Sequence, residues 1–171
     1  MITADAPETF NAWYQELYPK IYRYLFGLTG SHPEAEQLAQ ETFTGLYHMV
    51  SSRREVRNPQ ALAYRIAHNI CLNHLKREKK YKDIIGRKAV LSADTALSRE
   101  ESLIEEQKAA RAREALARLP ERDRTCLLLY LEELSYSEIS EALGVKKTSV
   151  GKILARAAER LGREIQNGDR P

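Results

Sequence analysis

The chain has 171 residues, of which 43% are hydrophobic and 30% charged, with eight glycines and six prolines. That length suits one or two small domains, and the composition excludes collagen-like, low-complexity and wholly disordered chains. The net charge of +3 says little alone, but its placement along the chain says more.

Nearly every segment reads as helix. Phe10, Trp13, Leu17, Ile21, Leu25 and Leu28 recur every three or four residues and mark one buried face. Pro19 falls inside this run and is expected to kink or split it; Gly27 and Gly30 end it. Pro33 fits the first turn of a second helix, whose apolar face carries Leu38, Thr42/Phe43, Leu46 and Met49/Val50. Residues 51–57 form a polar, basic connection. Asn58 followed by Pro59 is an N-cap and first-turn pair. The third helix buries Leu62, Ile66, Ile70 and Leu75. Its other face offers Tyr64, Arg65, His68, Asn69, Asn73, Lys76 and Arg77, and it ends in the run KREKK. Between residues 81 and 104 the apolar period fades into a linker, with a short helical patch at Ile84 and Ile85. A flexible connection here implies two domains whose relative placement is set by a partner.

A second helical unit follows. One helix runs from Leu103 to Leu119, Pro120 restarts the chain, and the next helix holds Cys126 to Leu131. Ser135 and Glu138 stand at capping-box spacing. The short helix they open turns Ile139, Ala142 and Leu143 inward and ends at Gly144. A last helix runs from Lys147 to Ile165, with Val150, Leu154 and Leu161 inward and a frayed tail. No strand alternation is present, so the fold class is all-α: two small helical domains, residues 8–80 and 105–165, joined by a flexible linker at 81–104.

The charge is concentrated on these units. Residues 57–104 hold ten basic and five acidic side chains, and residues 144–163 hold six and one. Basic blocks on helices are candidate phosphate contacts, because neutralising phosphates releases counterions; a lone basic run is more often a solvated face. The capped helix, glycine turn and basic helix over 135–160 together make a helix-turn-helix. Its second helix would enter the major groove N-terminus first. Lys146, Lys147, Thr148, Ser149 and Lys152 occupy that end, and Arg156, one turn on, is placed for a phosphate. Gly151, mid-helix, either allows a close approach to DNA or a neighbouring helix or is simply tolerated.

The segment LPERDRTCLLLYLEELSYSEISEALGVKKTSVGKILARAAERL resembles the promoter-binding C-terminal domain of the sigma-70 family. EAEQLAQETFTGLY is similar to that family's polymerase-binding helix, and NPQALAYRIAHNICLNHLKREKK to its −10 helix. With two domains and a short linker, the chain resembles the extracytoplasmic-function (ECF) class. The resemblance implies a transcription initiation factor with core RNA polymerase, promoter DNA and an anti-sigma factor as partners. It also implies that Glu36, Gln40, Glu41 and Phe43 dock on the polymerase clamp. Arg53, Arg54 and Arg57 lie in the loop that captures a flipped base, and Arg65, Asn69, Asn73, Lys76 and Arg77 serve the −10 element. Lys147 to Lys152 match the reader of the −35 element. The linker would thread toward the polymerase active-site channel. The chain departs from the family pattern at Gln37, at Leu62 and Ala63, at Asn73 and at Lys146. Tyr64 is either a base-stacking residue or a packed one.

Rival readings leave parts unexplained. A helix-turn-helix regulator working without polymerase gives the QETF helix no task. A zinc site on His68, Cys71 and His74 lacks a fourth ligand, so Cys71 is read as core and no metal or other cofactor is expected. No Gly-rich phosphate loop, GxSxG or HExxH points to an enzyme. Two cysteines cannot build a disulfide framework. No basic-then-apolar leader or membrane-length apolar run is present, so a soluble, cytoplasmic protein with buried free thiols is expected, without direct membrane insertion.

Overall fold

A computed structural model describes residues 6–52, 56–85 and 100–168. These form seven helices: α1 (Ala6–Thr29), α2 (His32–Ser51), α3 (Pro59–Ile85), α4 (Glu100–Arg118), α5 (Glu121–Leu131), α6 (Tyr136–Leu143) and α7 (Lys147–Gly168). No strand occurs among the described residues.

Helix α1 runs unbroken through Pro19 instead of splitting there. Pro19 and Gln15, whose carbonyl loses its helical donor, both lie on the exposed side, where water can replace the missing bond. Gly30, at φ +70, ends the helix, and Ser31 caps α2 by accepting from the Glu34 N–H at 3.4 Å. Ile21 and Leu25 are fully buried on the inner face of α1, each burial contributing about 1.5–3 kcal/mol. Asn58 caps α3, its Oδ1 accepting the Ala61 N–H at 2.9 Å. Helix α3 continues to residue 85 and absorbs the expected patch at Ile84 and Ile85. Helix α4 starts at residue 100; the rest of the predicted linker, 86–99, lies outside the described residues.

In the C-terminal unit, Ser135 and Glu138 form the expected capping box and Gly144 closes α6 in the left-handed region at φ +64. A Cβ on Gly151 would meet Tyr136 at 3.5 Å, an ordinary contact, so packing does not demand glycine there.

The two units are not separate bodies. Helix α5 packs on α1 and α6 on α3, and one apolar core runs from Leu17, Tyr24 and Leu28 through Cys71 to Cys126, Leu128, Leu134 and Ile139. Where α1 crosses α5 the approach is close: a Cβ on Gly27 would lie 2.9 Å from Leu128 Cδ2. The two helical units stand as the sequence suggested; their relative placement, which the sequence left open, is one in which α5 finds apolar cover on α1.

Candidate polymerase and promoter interface

Three exposed stripes lie on three different helices. On α2, Glu36, Gln37, Gln40 and Glu41 face solvent, and Gln37 donates to Glu41 at 3.0 Å. Phe43 does not share this face. It is 3% exposed and packs against Phe10, Tyr14 and Tyr18, with ring centroids 6.5, 4.9 and 5.7 Å away. Its place beside Thr42 and Leu46 on the inward side of α2 corrects its assignment as a surface contact. The polar stripe is thus backed by aromatic rings. Phe10, Tyr14, Tyr18, Tyr22 and Phe26 recur every four residues along α1, a ladder readable from spacing but absent from the expectations above.

On α3, Arg65, Asn69, Asn73, Lys76 and Arg77 are all exposed, at the three- and four-residue spacings of one helix face. Arg77 donates back to the Asn73 carbonyl at 3.2 Å. Arg57 is exposed just before the helix; Arg53 and Arg54 lie outside the described residues. Tyr64 and His68 leave the stripe. Tyr64 is fully buried, edge-on to Tyr24 at 5.4 Å; it is a packed residue here. The Tyr24 hydroxyl lies 3.0 Å from His68 Nδ1, and burial holds the His68 imidazole below its usual pKa. His74 turns toward Glu34 at 3.3 Å, so the two histidines serve different neighbours.

On α7, Lys147, Thr148 and Lys152 are exposed at the N-terminal end, Ser149 is half-buried, and Lys146 is exposed just ahead. The Ser149 N–H bonds the Lys146 carbonyl at 2.8 Å, fixing the turn into the helix. Arg156 has a partner that the sequence reading missed. Its guanidinium donates to both oxygens of Asp123, the nearest at 2.5 Å, and Arg160 donates to the same carboxylate at 2.6 Å. The Asp123 side chain is 1% exposed. Burial alone would raise its pKa, but the two arginines override it and hold the carboxyl below the usual range. Only the pairing of an acid 33 residues away with a basic helix could have signalled this.

Two polar-to-basic stripes thus lie on separate helical units, and a stripe bearing carboxylates lies on a third helix. Residues 13–81 match sigma-70 region 2, and residues 109–161 match sigma-70, region 4. The chain is 31% identical over 154 residues to the RNA polymerase sigma factor YlaC of Bacillus subtilis (strain 168), covering 89% of each chain. It is 28% identical over 165 residues to the ECF RNA polymerase sigma factor SigW of the same organism, covering 86% of this chain and 84% of that one. The fold is that of the sigma factor RpoE of Bartonella quintana, solved with the anti-sigma factor NepR: TM-score 0.72 at 20% identity, covering 95% of this chain and 99% of that one. The chain belongs to the sigma-70 family of RNA polymerase sigma factors. Within that family it is of the ECF class. No described helix is long and apolar enough to cross a membrane.

Proposed function

We propose that this sigma factor docks on core RNA polymerase through the exposed face of α2, reads and opens the −10 element with α3, and contacts the −35 element with α7. The observation that carries this is the division of labour by charge. The α2 stripe of Glu36, Gln40 and Glu41 repels phosphate and suits a protein partner, while the α3 and α7 stripes carry the cationic and amide groups that hold DNA.

On α3, Asn69 and Asn73 offer paired donors and acceptors to base edges, and Arg65, Lys76 and Arg77 hold the displaced strand. Arg53, Arg54 and Arg57 precede this helix and complete the grip on an unstacked base. On α7, Lys146, Lys147 and Lys152 take phosphates or guanine, and Thr148 and Ser149 reach base edges at the end that enters the groove. Arg156, held on Asp123, stands one turn behind them on the phosphate side. Residues 8–80 and 105–165 are the two functional units. The work is binding and strand opening, with no bond made or broken by the protein and no cofactor. We assign the protein to the cytoplasm, where polymerase and promoter are. An anti-sigma factor is a further partner: RpoE was solved with NepR, and CnrH, alike in fold at TM-score 0.68, with the cytosolic domain of CnrY. A helix-turn-helix regulator acting without polymerase would leave the region 2 match unused.

The test is retention on immobilised bacterial core polymerase. Wild type is expected to be retained, and the triple variant Glu36→Ala, Gln40→Ala, Glu41→Ala to lose at least tenfold, about 1.4 kcal/mol. Equal retention of both would remove α2 from the docking role, and no retention of wild type would overturn the reading.

A further inference from the structure

We propose that Asp123 is a positioning residue for promoter reading: it grips α7 by the middle, through Arg156 and Arg160, and so sets the angle at which the lysine end of α7 meets the −35 element. The inference rests on the role proposed above for α7 and deepens it, making Arg156 a strut inside the protein.

The acid stands on an enclosed helix. Five consecutive residues of α5, Thr125 to Leu129, are buried. Successive helical residues advance about 100°, so five in a row sweep about 400° and face every side. Helix α5 therefore cannot turn about its axis without bringing an apolar side chain into water. Asp123 precedes this run, and its own N–H bonds the Pro120 carbonyl at 2.9 Å. It is a fixed point against which another helix can be set.

Helix α7 is held differently. Its buried residues, Val150, Ile153, Leu154 and Ala157, form one stripe at three- and four-residue spacing. Apolar burial has no direction, so such a stripe leaves small tilts and slides nearly equal in energy. A charge-assisted fork does have direction. Arg156 gives Nε and Nη2 to Asp123, at 3.2 and 2.5 Å from one oxygen, and Arg160 gives Nη1 to the other oxygen at 2.6 Å. Two arginines one turn apart thus converge on one carboxylate and fix α7 against α5. The carboxylate is 1% exposed, so an Arg156 that swung out to a phosphate would strip a buried acid of its bidentate partner.

The strut acts on a lever. Thr148 lies eight residues ahead of Arg156, or about 12 Å along the helix. A tilt of about 10° pivoting at Arg156 carries that end about 2 Å, while hydrogen-bond distances span a window of about 0.5 Å. Short side chains at base edges, Thr148 and Ser149, do not tolerate this shift. Lys147 and Lys152 follow a phosphate on long flexible stems. Loss of the strut therefore blunts sequence discrimination and spares sequence-independent affinity.

The experiment uses the full chain on core polymerase. One probe is a promoter duplex recovered from a randomised library by the wild-type holoenzyme; the other is the same duplex with only the −35 element scrambled. The ratio of the two dissociation constants is the discrimination. Arg156→Lys keeps a cation for phosphate and loses the fork. Asp123→Asn keeps the shape and loses the charge. Ile21→Val trims a fully buried side chain of α1 and lowers stability alone. All chains are compared at a temperature at which circular dichroism shows them folded. Arg156→Lys and Asp123→Asn are each expected to lower discrimination about tenfold, with the salt slope on the scrambled duplex unchanged. Ile21→Val is expected to match wild type in both. Wild-type discrimination in both strut variants would overturn the inference and leave the −35 role of α7 standing. An equal loss in Ile21→Val would also overturn it, by making the effect one of stability. A salt slope lower by about one contact in Arg156→Gln, with discrimination kept, would return Arg156 to the phosphate. If wild type itself does not distinguish the duplexes, the −35 role of α7 fails and the inference falls with it.

Discussion

Arg156 reaches from α7 to the buried carboxylate of Asp123 at 2.5 Å, and Arg160 approaches the other oxygen at 2.6 Å. One acid at the start of α5 thereby fixes the middle of α7. Removing it leaves the two cations without their common partner, and removing one arginine leaves the acid half-satisfied. Asp123→Ala is expected to lower unfolding free energy by about 1–3 kcal/mol, because the hydrogen bonds to this carboxylate are lost, and Arg156→Ala by less, since Arg160 remains and Arg156 is half-exposed. Urea denaturation measures both.

The same pair sets a pH dependence. Asp123 has a folded pKa below its unfolded value, so the unfolded chain binds more protons in the interval between them. Its contribution is complete above about pH 4 and is lost as pH falls through the folded pKa. Asp123→Asn should flatten the stability profile below pH 4, and a profile as steep as wild type there would contradict the role given to this carboxylate.

His68 acts in a higher window. Burial depresses its pKa, so it is neutral when folded. The unfolded chain takes up a proton first, and stability is lost as pH falls below about 6.5. His68→Gln should reduce the loss of stability that thermal unfolding detects in wild type as pH falls below about 6.5.

Glu133 adopts φ +63 in the turn between α5 and α6, the one non-glycine with positive φ among the described residues. Glu133→Gly should relieve this conformation and stabilise the protein by about 0.5–1 kcal/mol, raising Tm by about 2–4 °C. A lower Tm would show that the Glu133 side chain contributes more than its backbone costs.

The faces proposed for DNA lie apart from the face proposed for polymerase. Lys147→Ala and Lys152→Ala should each weaken promoter binding, with the salt slope falling by about one phosphate contact, while retention on core polymerase is unchanged. Equal loss of both activities would contradict the assignment of α7.

Local chemistry was readable from the sequence and distant pairing was not. The Ser135–Glu138 box, the Gly144 turn and the Asn58 cap need only residues within a few positions, so their spacing announces them. The apolar period placed Phe43 with Thr42 on the inward face of α2, and only resemblance moved it to the surface. Asp123 sits in a charged run, ERDR, where nothing local marks it as buried; its partners come 33 and 37 residues later. Tyr64 lies on the polar side of α3 by periodicity and is enclosed where α6 arrives from more than 70 residues on. The docking of the two units was hidden for the same reason, because composition between residues 81 and 104 speaks only for a connection.

The most direct measurement is run-off transcription with purified protein, bacterial core polymerase and a randomised promoter library, followed by sequencing of the transcripts. Enrichment of two elements at −35 and −10 spacing is the predicted result. Polymerase that initiates no differently with and without the protein, on a preparation whose wild-type chain is not retained on core, would contradict the sigma-factor mechanism proposed for these three stripes.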